Sequence, residues 1–430
     1  MKRVLIITYY WPPSGGSGVQ RWVKFSKYLP ENGWQPVIYT PSNPYLALKD
    51  RTLEEEIPEC AEILKRPIFE PYGIYSRLSG RKGPGQEEVN PVNGRKKSLM
   101  QRISMAIRGN LFIPDPRCMW IAPSVRFLKK YLKEHPVDVI VSTGPPHSMH
   151  LIGRKTALAT GIPWIADFRD PWTKMFYFKH LQLGRRAEHR HHVLEKKVLD
   201  DASVIVTVSP VVQDEFREMT STPVELITNG YDEADFDQVV EPDGYFNLVH
   251  TGLFAADGNP DILWKVLSEK CRKDSEFRNM LRIRLAGKTD REIIASIRAC
   301  GLDRNLLDLG YQPHQTAVRE QKGASVLILP LRKEPEYRAV LPGKLFEYLA
   351  SCRPVLGIGQ TDSAMARILR QTGAGTVLDW DDADGISDYI DKSWDMFRKG
   401  CLDSDTDNIA QYSRRALTQR MADLMETLIK

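Results

Sequence analysis

Two short segments combine glycine with charged side chains in a way that suits a phosphate-bearing ligand. The first is Gly15-Gly16-Ser17-Gly18, which lies between an apolar run and a helical pattern. Glycine lets the backbone approach a phosphate closely, and the N-terminus of the following helix supplies free N–H groups. Arg21 stands where the third glycine of a dinucleotide-binding GxGxxG fingerprint would be. We therefore predict a phosphate-binding turn with Arg21 as a nearby cation, or else a tight turn without a ligand.

The second segment, Leu341 to Ala350, contains Pro342, Gly343, Lys344 and Glu347. Proline suits the first turn of a helix, so the lysine is expected near a helix N-terminus, where an anion is favoured. The glutamate follows three residues later and shares the same helix face. We predict a cation for phosphate and a carboxylate for sugar hydroxyls, with a surface ion pair as the alternative.

Two further groups of polar residues follow apolar runs that are typical of buried strands. His147 follows one run, and Asp167, Arg169 and Asp170 follow the next. Ligands bind at the carboxyl ends of strands in open α/β folds, so His147 is predicted to be functional. The two acids that flank one arginine form either a site or an internal salt-bridged turn, and both readings stay open.

Three acidic or histidine-rich stretches resemble metal sites but are not predicted to be such. Asp379-Trp380-Asp381 spells DxD, yet it comes late in the chain and precedes an expected helix cap. His189 to His192 lies in a charged helical pattern, and Asp403 to Asp407 lacks the glycine and the closing glutamate of a calcium loop. We therefore predict no metal.

These residues are positioned by a repeated order of strand, turn and helix. Val4–Thr8, the glycine-rich turn, Val19–Leu29 and Pro36–Tyr39 form a βαβ pattern. Short apolar strands separated by helices predict α/β domains with parallel sheets covered on both faces.

The same order recurs after an acidic segment, residues 231–244, which we interpret as the domain linker. The predicted domains are residues 1–232 and 244–405. Residues 406–430 are predicted to form a helix that returns to the first domain, with apolar positions at helical spacing from about 408 to 428.

Composition narrows the class of protein. The 430 residues carry a net charge of +5, which argues against a dedicated nucleic-acid binder. The six cysteines form no CxxC pair, which favours reduced thiols in a cytoplasmic protein, and no run reaches the roughly 20 apolar residues of a membrane span.

Residues 80–97 read as a flexible loop. The basic stretch 96–108 reads as a helix that packs on its own domain or rests peripherally on a membrane.

Several motifs together resemble the family 4 glycosyltransferases of the GT-B fold, a large retaining group that uses nucleotide-sugars. The resemblance covers nearly the whole chain, and its most specific match is the block from Pro342 to Ala350. Residues 144–148 and 167–172 resemble a subgroup found in surface-polysaccharide gene clusters. The other matching segments are Gly15-Gly16, Ile227 to Asp232, Leu309 to Tyr311, Ala324 to Pro330, and Pro354 to Leu356.

The resemblance implies two Rossmann-like domains that face each other across a cleft, with the terminal helix crossing back to the first domain. A UDP- or GDP-sugar would bind to the second domain and a glycan or lipid-linked acceptor to the first, in the cytoplasm and without a metal or cofactor. The implied catalytic residues are His147, Asp170 and Lys344. The implied acceptor-side residues are Arg21, Asp167 and Arg169. The implied donor-binding residues are Gly15, Gly16, Gly252, Lys288, Tyr311, Arg332, Pro342, Gly343, Lys344 and Glu347.

The chain departs from the family pattern at two places. Ala339 stands where the first glutamate of Glu-x7-Glu is usual, so Glu334 or Glu336 would have to replace it. The family's arginine after the first strand of the second domain is also missing, and either Lys288 or the pair Arg332 and Lys333 would supply the charge. Two rival readings follow: another GT-B enzyme, namely a sugar-nucleotide epimerase or a phosphorylase, or a non-catalytic subunit that binds a nucleotide-sugar.

Overall fold

The computed structural model describes residues 1–45, 49–70, 109–175, 178–401 and 408–429. It divides into two compact units, Met1–Thr228 with Arg415–Lys430, and Asn229–Arg414. The loop predicted at 80–97 and the basic helix predicted at 96–108 lie outside the described residues.

The chain leaves the first unit earlier than the sequence suggested, since residues 231–244 belong to the second unit. Backbone pairing explains the difference. The Tyr231 N–H donates to the Tyr412 carbonyl at 3.1 Å, and the Arg414 N–H donates to the Tyr231 carbonyl at 2.7 Å. Tyr231 is therefore tied to the segment that leads out of the second unit and is not part of a free linker.

The described part of the first unit contains a seven-stranded sheet in the order β3-β2-β1-β4-β5-β6-β7, and every neighbouring pair is parallel. Its strands are β1 (Lys2–Ile7), β2 (Trp34–Pro41), β3 (Glu62–Arg66), β4 (Val139–Gly144), β5 (Trp164–Phe168), β6 (Val204–Thr207) and β7 (Val224–Leu226). Its helices are α1 (Ser17–Tyr28), α2 (Ile121–Glu134), α3 (Ser148–Thr160), α4 (Arg185–Asp201) and α5 (Pro210–Met219), together with the terminal α13 (Arg414–Thr427).

The terminal helix α13 packs on the first unit. Leu417, Met421 and Met425 are fully buried in the core that also contains residues of α1 and β1. The helix begins later than the apolar spacing predicted, because residues 409–412 form a short 3-10 helix and Ser413 is extended. Ser413 bridges to Tyr231, and this pairing keeps it out of the helix.

The described part of the second unit contains a six-stranded parallel sheet in the order β10-β9-β8-β11-β12-β13. Its strands are β8 (Phe246–Thr251), β9 (Leu281–Ala286), β10 (Leu306–Gly310), β11 (Val326–Pro330), β12 (Val355–Ile358) and β13 (Gly375–Leu378). Its helices are α6 (Asp261–Lys273), α7 (Ser275–Met280), α8 (Arg291–Ala299), α9 (His314–Lys322), α10 (Gly343–Ala350), α11 (Ala364–Thr372) and α12 (Ala383–Arg398).

Continuous apolar strands explain why helices cover both faces of each sheet. Val4 to Ile7 of β1 are all fully buried, as are Leu248 and Val249 of β8. A strand that is apolar on both sides must be covered on both sides, which is the usual arrangement of parallel sheets.

The strand order reverses between β1 and β4 in the first unit and between β8 and β11 in the second. In open α/β sheets the crevice at such a switch point, outside the carboxyl ends of the strands, is where ligands bind. None of the helices in the described ranges is long and apolar enough to cross a membrane.

Candidate functional site

Lys344 lies at the start of α10, beside the carboxyl end of β8. Its Nζ is 3.2 Å from the Nε2 of His250 and 3.2 Å from the carbonyl oxygen of Leu253. The Nδ1 of His250 lies 3.0 Å from the Ile328 carbonyl, so Nδ1 carries the proton and Nε2 accepts from the lysine. The ammonium is thus held by neutral acceptors only, and it keeps its full charge for an anion.

The surroundings of Lys344 disfavour the positive charge of its ammonium in the absence of a bound anion. Burial lowers the pKa of Lys344 to about 8, against a smaller opposing effect of the nearby Glu347 carboxylate. Burial, and then the lysine charge, hold the pKa of His250 well below its ordinary value, so the imidazole is neutral. A bound phosphate would offset the cost of removing this half-buried ammonium partly from water.

Two glycines shape the wall of the pocket that contains Lys344. Gly252 has φ +85°, and a Cβ there would lie 3.3 Å from Lys344 Nζ. A Cβ at Gly287, where φ is +152°, would lie only 2.0 Å from the Gly252 carbonyl oxygen, so no larger residue fits. The Gly252 N–H donates to Ala286 O at 2.8 Å. Gly252, predicted to bind the donor, therefore acts by shaping the lysine pocket, since its own N–H is occupied.

Glu347 is positioned by a buried amide. Gln321 Nε2 donates to Glu347 Oε2 at 2.8 Å and to Thr251 Oγ1 at 3.0 Å. The Thr251 N–H in turn donates to the Tyr348 hydroxyl at 2.9 Å. Lys344 and Glu347 thus bond to different partners, and the surface ion pair considered as an alternative is not formed. The half-buried carboxylate keeps one oxygen for a ligand.

The other residues predicted to bind the donor differ in their exposure, in their charge partners and in their distance from β8. Arg332, after β11, pairs with Asp257 Oδ2 at 2.8 Å, so its charge is already balanced. Lys288 is exposed on the loop after β9. Tyr311 is 80% exposed after β10, the edge strand of the sheet, and is thus two strands away from β8. Pro342 directly precedes α10 as its cap residue.

Glu334, one of the two candidates to replace the missing family glutamate, has a buried carboxylate oxygen. In the described part of the chain, its Oε2 has no hydrogen-bond partner. The pKa of Asp257 is raised mainly by burial, and the Glu334 carboxylate raises it further. An unpaired buried oxygen at this edge fits a contact to a ligand hydroxyl better than a purely structural role.

The glycine turn of the first unit opens α1. Gly16 is exposed, has φ +95° and precedes the helix, whose first turn contains no acid and no side-chain cap. Gly15 is half-buried beside it. The N–H groups at a helix N-terminus can donate to an anion, so the phosphate-binding role of this turn stays a prediction.

Arg21 and Asp167 form a fully buried ion pair, with Arg21 Nη2 2.9 Å from Asp167 Oδ1. The carboxylate also accepts from Trp22 Nε1 at 2.7 Å and from Thr143 Oγ1 at 2.8 Å. Burial is the largest single influence on the pKa of Asp167 and raises it. Arg21 and the hydrogen bonds together lower the pKa by more, so it lies below its ordinary value. Neither side chain is accessible to an acceptor, so the acceptor-side role predicted for both is replaced by a structural one.

Arg169 also turns inward. Its Nη1 donates to the Gly18 carbonyl at 2.7 Å, and its Nη2 donates to the Pro145 carbonyl. Burial lowers the pKa of the guanidinium. Arg169 thereby fixes the first turn of α1 to the loop after β4, and it does not reach out as the acceptor-side residue that was predicted.

His147 directly precedes α3 and is 5% exposed. Its ring stacks on Trp172 with centroids 4.7 Å apart and planes 4° apart. Neither ring nitrogen has a hydrogen-bond partner among the described residues. Burial, and then the charges of His150, His191 and Arg169, hold the pKa of His147 well below its ordinary value. A neutral imidazole with two unused nitrogens is suited to hydroxyl groups of a ligand.

The stacking partner is fixed by α4. Trp172 Nε1 donates to His191 Nδ1 at 3.0 Å, and the Trp172 N–H donates to Glu195 at 3.2 Å. His191 and Glu195 are four residues apart and share the inner face of the helix. The histidine-rich stretch therefore anchors the loop after β5.

Asp170 is half-buried after β5. Burial raises the pKa of its carboxyl group, while the neighbouring Arg169 lowers it by less. Among the described residues, both ring nitrogens of His147 and the Nε of Arg169 are buried without a hydrogen-bond partner, and Asp170 follows Arg169 directly.

Of the three patterns rejected as metal sites, Asp403 to Asp407 lies outside the described residues, and the His189–His192 stretch anchors the loop after β5 as described above. The third, the DxD stretch, has a structural role. The Asp381 N–H donates to Asp379 Oδ1 at 3.1 Å, and the Gly385 N–H donates to Asp382 Oδ1 at 2.9 Å, which caps α12. Within the described ranges, no group of three potential ligands is placed to hold a metal ion.

Sequence reasoning missed several residues of both sites, namely His250, Gln321, Tyr348, Trp172 and His191. The position of His250 at the end of a predicted strand was visible, but its partner is 94 residues away in the chain. Only the tertiary contact gives the imidazole its role.

Residues 79–235 match the model of the family described as Glycosyltransferase Family 4. The first part of this match lies outside the described residues. A search of curated proteins found no match.

Solved structures with the same fold cover nearly the whole chain. Sucrose-phosphate synthase from Thermosynechococcus elongatus is 13% identical with a TM-score of 0.64, over 100% of this chain and 99% of that one. WaaG, a glycosyltransferase involved in lipopolysaccharide biosynthesis, is 13% identical with a TM-score of 0.55, over 98% and 99%. The E. coli trehalose-6-phosphate structure bound with UDP-2-fluoro glucose is 10% identical with a TM-score of 0.60, over 99% of each chain.

At these identities the likeness shows the fold, and it confirms the expected α/β class with two parallel sheets. The family match confirms the resemblance that the motifs indicated. The chain therefore has the GT-B fold, carries a region that matches glycosyltransferase family 4, and is a glycosyltransferase.

Proposed function

We propose that the protein is a retaining glycosyltransferase that moves a sugar from a UDP- or GDP-sugar to a glycan or lipid-linked acceptor in cell-surface polysaccharide biosynthesis. The observation that carries the proposal is the pocket at the switch point of the second sheet. It holds a half-buried Lys344, whose ammonium contacts neutral acceptors only, and a half-buried Glu347 with one unused oxygen.

In this proposal the diphosphate binds to Lys344 and to the free N–H groups of the first turn of α10. A helix N-terminus favours an anion, and α10 has no acid in its first turn. Glu347 accepts from the ribose hydroxyls, because Gln321 occupies only its Oε2. The same groups then stabilise the charge that develops on the departing diphosphate.

Retention means that the acceptor oxygen bonds to the anomeric carbon on the face from which the diphosphate leaves. The bond between that carbon and the phosphate oxygen breaks, and its electron pair stays on the diphosphate. The acceptor hydroxyl gives its proton to the departing phosphate oxygen. This route requires no carboxylate nucleophile, and Lys344 supplies the positive charge that a metal would otherwise provide.

In the first unit, we assign His147 to the sugar of the donor and Asp170 to the acceptor. His147 offers two unpaired nitrogens in a neutral ring held rigidly against Trp172. The pKa of Asp170 is raised by burial, so the group is suited to sharing a proton with an acceptor hydroxyl. Substitution of Asp170 by Asn should mainly raise the acceptor KM.

Two similar structures support the substrate class. WaaG is involved in lipopolysaccharide biosynthesis, and the E. coli protein binds a UDP-sugar analogue. The basic segment 96–108, proposed from the sequence for peripheral membrane contact, lies outside the described residues.

The proposal is tested with a panel of UDP-, GDP-, ADP- and TDP-sugars and a mixture of glycan and lipid-linked acceptors. The assay measures nucleoside diphosphate release and the anomeric configuration of the product by NMR. We expect one donor to be consumed only with an acceptor and with retained configuration. Release of free sugar without an acceptor would indicate an epimerase. A requirement for inorganic phosphate would indicate a phosphorylase, and binding without turnover would indicate a non-catalytic subunit.

A further inference from the structure

A second charged surface lies on two helices of the first unit. Helices α2 and α3 border an open groove of about 540 Å³. The groove is lined by Ala122, Val125, Arg126, Lys129, Lys130, Lys133 and Lys155. Five of these seven residues are basic, although the whole chain has a net charge of only +5. We name these five basic residues the α2–α3 basic face.

Helical spacing brings the charges of α2 onto one side. Four exposed basic residues lie three or four positions apart along α2, which places them on one side of the helix. They are Arg126, Lys129, Lys130 and Lys133. The opposite side of α2 is buried in the unit, with Leu128 fully buried. The face is therefore a surface of the folded unit and not a core feature.

The basic side chains of this face have no acidic partners in the described part of the chain. The sequences of α2 and α3 contain a single acid, Glu134, at the end of α2. By contrast, Arg154, the neighbour of Lys155 in sequence, is paired with Asp201. Elsewhere in the unit Lys24 pairs with Glu56 at 2.6 Å. Unneutralised like charges that are clustered in this way repel one another, so an external anionic surface would stabilise them.

The geometry suits a flat array of anions better than one small anion. Arg126 and Lys133 are seven residues apart, which is about 10 Å along a helix. Their side chains do not converge on one point as they would around a single phosphate. Leu158 lies one turn after Lys155 on the same side of α3 and is 62% exposed. An exposed leucine beside lysines gives the surface an apolar contact as well as charge.

We propose that the α2–α3 basic face docks the protein on the surface of an anionic lipid bilayer. Attachment is electrostatic and reversible, with Leu158 reaching the boundary between headgroups and acyl chains. This surface contains no residue of the segment 96–108, and it does not depend on the proposed transfer reaction.

The test measures binding of the full chain to vesicles by sedimentation. Vesicles of phosphatidylcholine with 30% phosphatidylglycerol, roughly a typical anionic content, are compared with vesicles of phosphatidylcholine alone. The test variant replaces Lys129, Lys130, Lys133 and Lys155 by Gln. The control variant replaces Lys265, Arg291, Lys392 and Lys399 by Gln, which removes the same charge from exposed positions of the second unit.

We expect the wild type to bind anionic vesicles selectively and less tightly as salt rises. At low salt the test variant should bind up to roughly 1,000-fold more weakly, and the control variant within about threefold of wild type. Leu158→Gln should weaken binding by a smaller factor. The proposal is overturned if wild type binds both vesicles equally, or if the test and control variants lose the same affinity. It is also overturned if Gln at Lys96, Lys97, Arg102 and Arg108 abolishes binding while the test variant keeps it. Circular dichroism and the nucleotide affinity of each variant show that the fold is intact.

Discussion

The titration of Lys344 makes nucleotide affinity depend on pH in a defined direction. Burial lowers the pKa of Lys344 to about 8 in the free protein. At pH 7 about 90% of the side chain is then protonated, and at pH 9 about 10%. If the diphosphate binds to the ammonium form, the dissociation constant should rise roughly tenfold between these values.

Neither His250 nor Tyr348, the two neighbouring groups with a resolved shift in pKa, shares this titration. Burial keeps the His250 imidazole neutral throughout, because it holds the pKa far below 7. Burial raises the pKa of the Tyr348 hydroxyl, which stays protonated across the range. The terminal phosphate of a nucleoside diphosphate is largely ionised by about pH 7. A loss of affinity that is absent from Lys344→Gln therefore reports Lys344.

The assay is isothermal titration calorimetry with UDP and GDP at pH 7, 8 and 9 and constant ionic strength. Lys344→Gln should bind about tenfold or more weakly at pH 7 and show no further loss at pH 9. Lys344→Arg keeps the charge at every pH and should show no loss between pH 7 and 9. If the wild type has the same affinity at all three values, or if Lys344→Gln shows the same pH dependence, the phosphate site is not at Lys344.

Four further outcomes follow from the same contacts. Glu347→Gln should weaken nucleotide binding by roughly 10- to 100-fold with an unchanged melting temperature, and unchanged affinity would remove the ribose assignment. His147→Ala should lower kcat far more than it weakens nucleotide binding; if the variant unfolds, His147→Gln, which keeps polar atoms, separates stability from chemistry. Transfer should run at nearly the full rate with excess chelator, and a strict need for magnesium or manganese would contradict the role given to Lys344. Asp167→Asn should lower the free energy of unfolding by about 3–5 kcal/mol in urea titrations, because it leaves the Arg21 charge buried and unpaired; a loss below about 1 kcal/mol would contradict that account.

Local patterns predicted the elements and the short-range parts of the site. The apolar run of β1, the glycine turn and the helix α1 follow one another within 28 residues, so periodicity alone located them. The same holds for Lys344 and Glu347, which share one turn of α10. These inferences needed no knowledge of what packs against each element.

Contacts between residues far apart in the chain determine the roles of the remaining site residues. Arg21 looked like a cation beside the glycine turn, but its partner Asp167 is 146 residues away, and the pair is buried. Gln321, which positions Glu347, lies 26 residues before it on another helix. A sequence pattern shows which residue types are present, whereas the direction of a side chain depends on the packing of elements far apart in the chain.

The most direct test of the proposed donor site is amide hydrogen–deuterium exchange in the presence of the nucleotide-sugar that the enzyme consumes. The account predicts slower exchange at residues 250–254 and 343–347, where the lysine pocket and the first turn of α10 meet the diphosphate. Asp167→Asn should leave this local protection in place if the variant is folded, and Lys344→Gln should reduce it. Protection that appears only elsewhere in the chain, with these two segments unchanged, would contradict the assignment of the donor site.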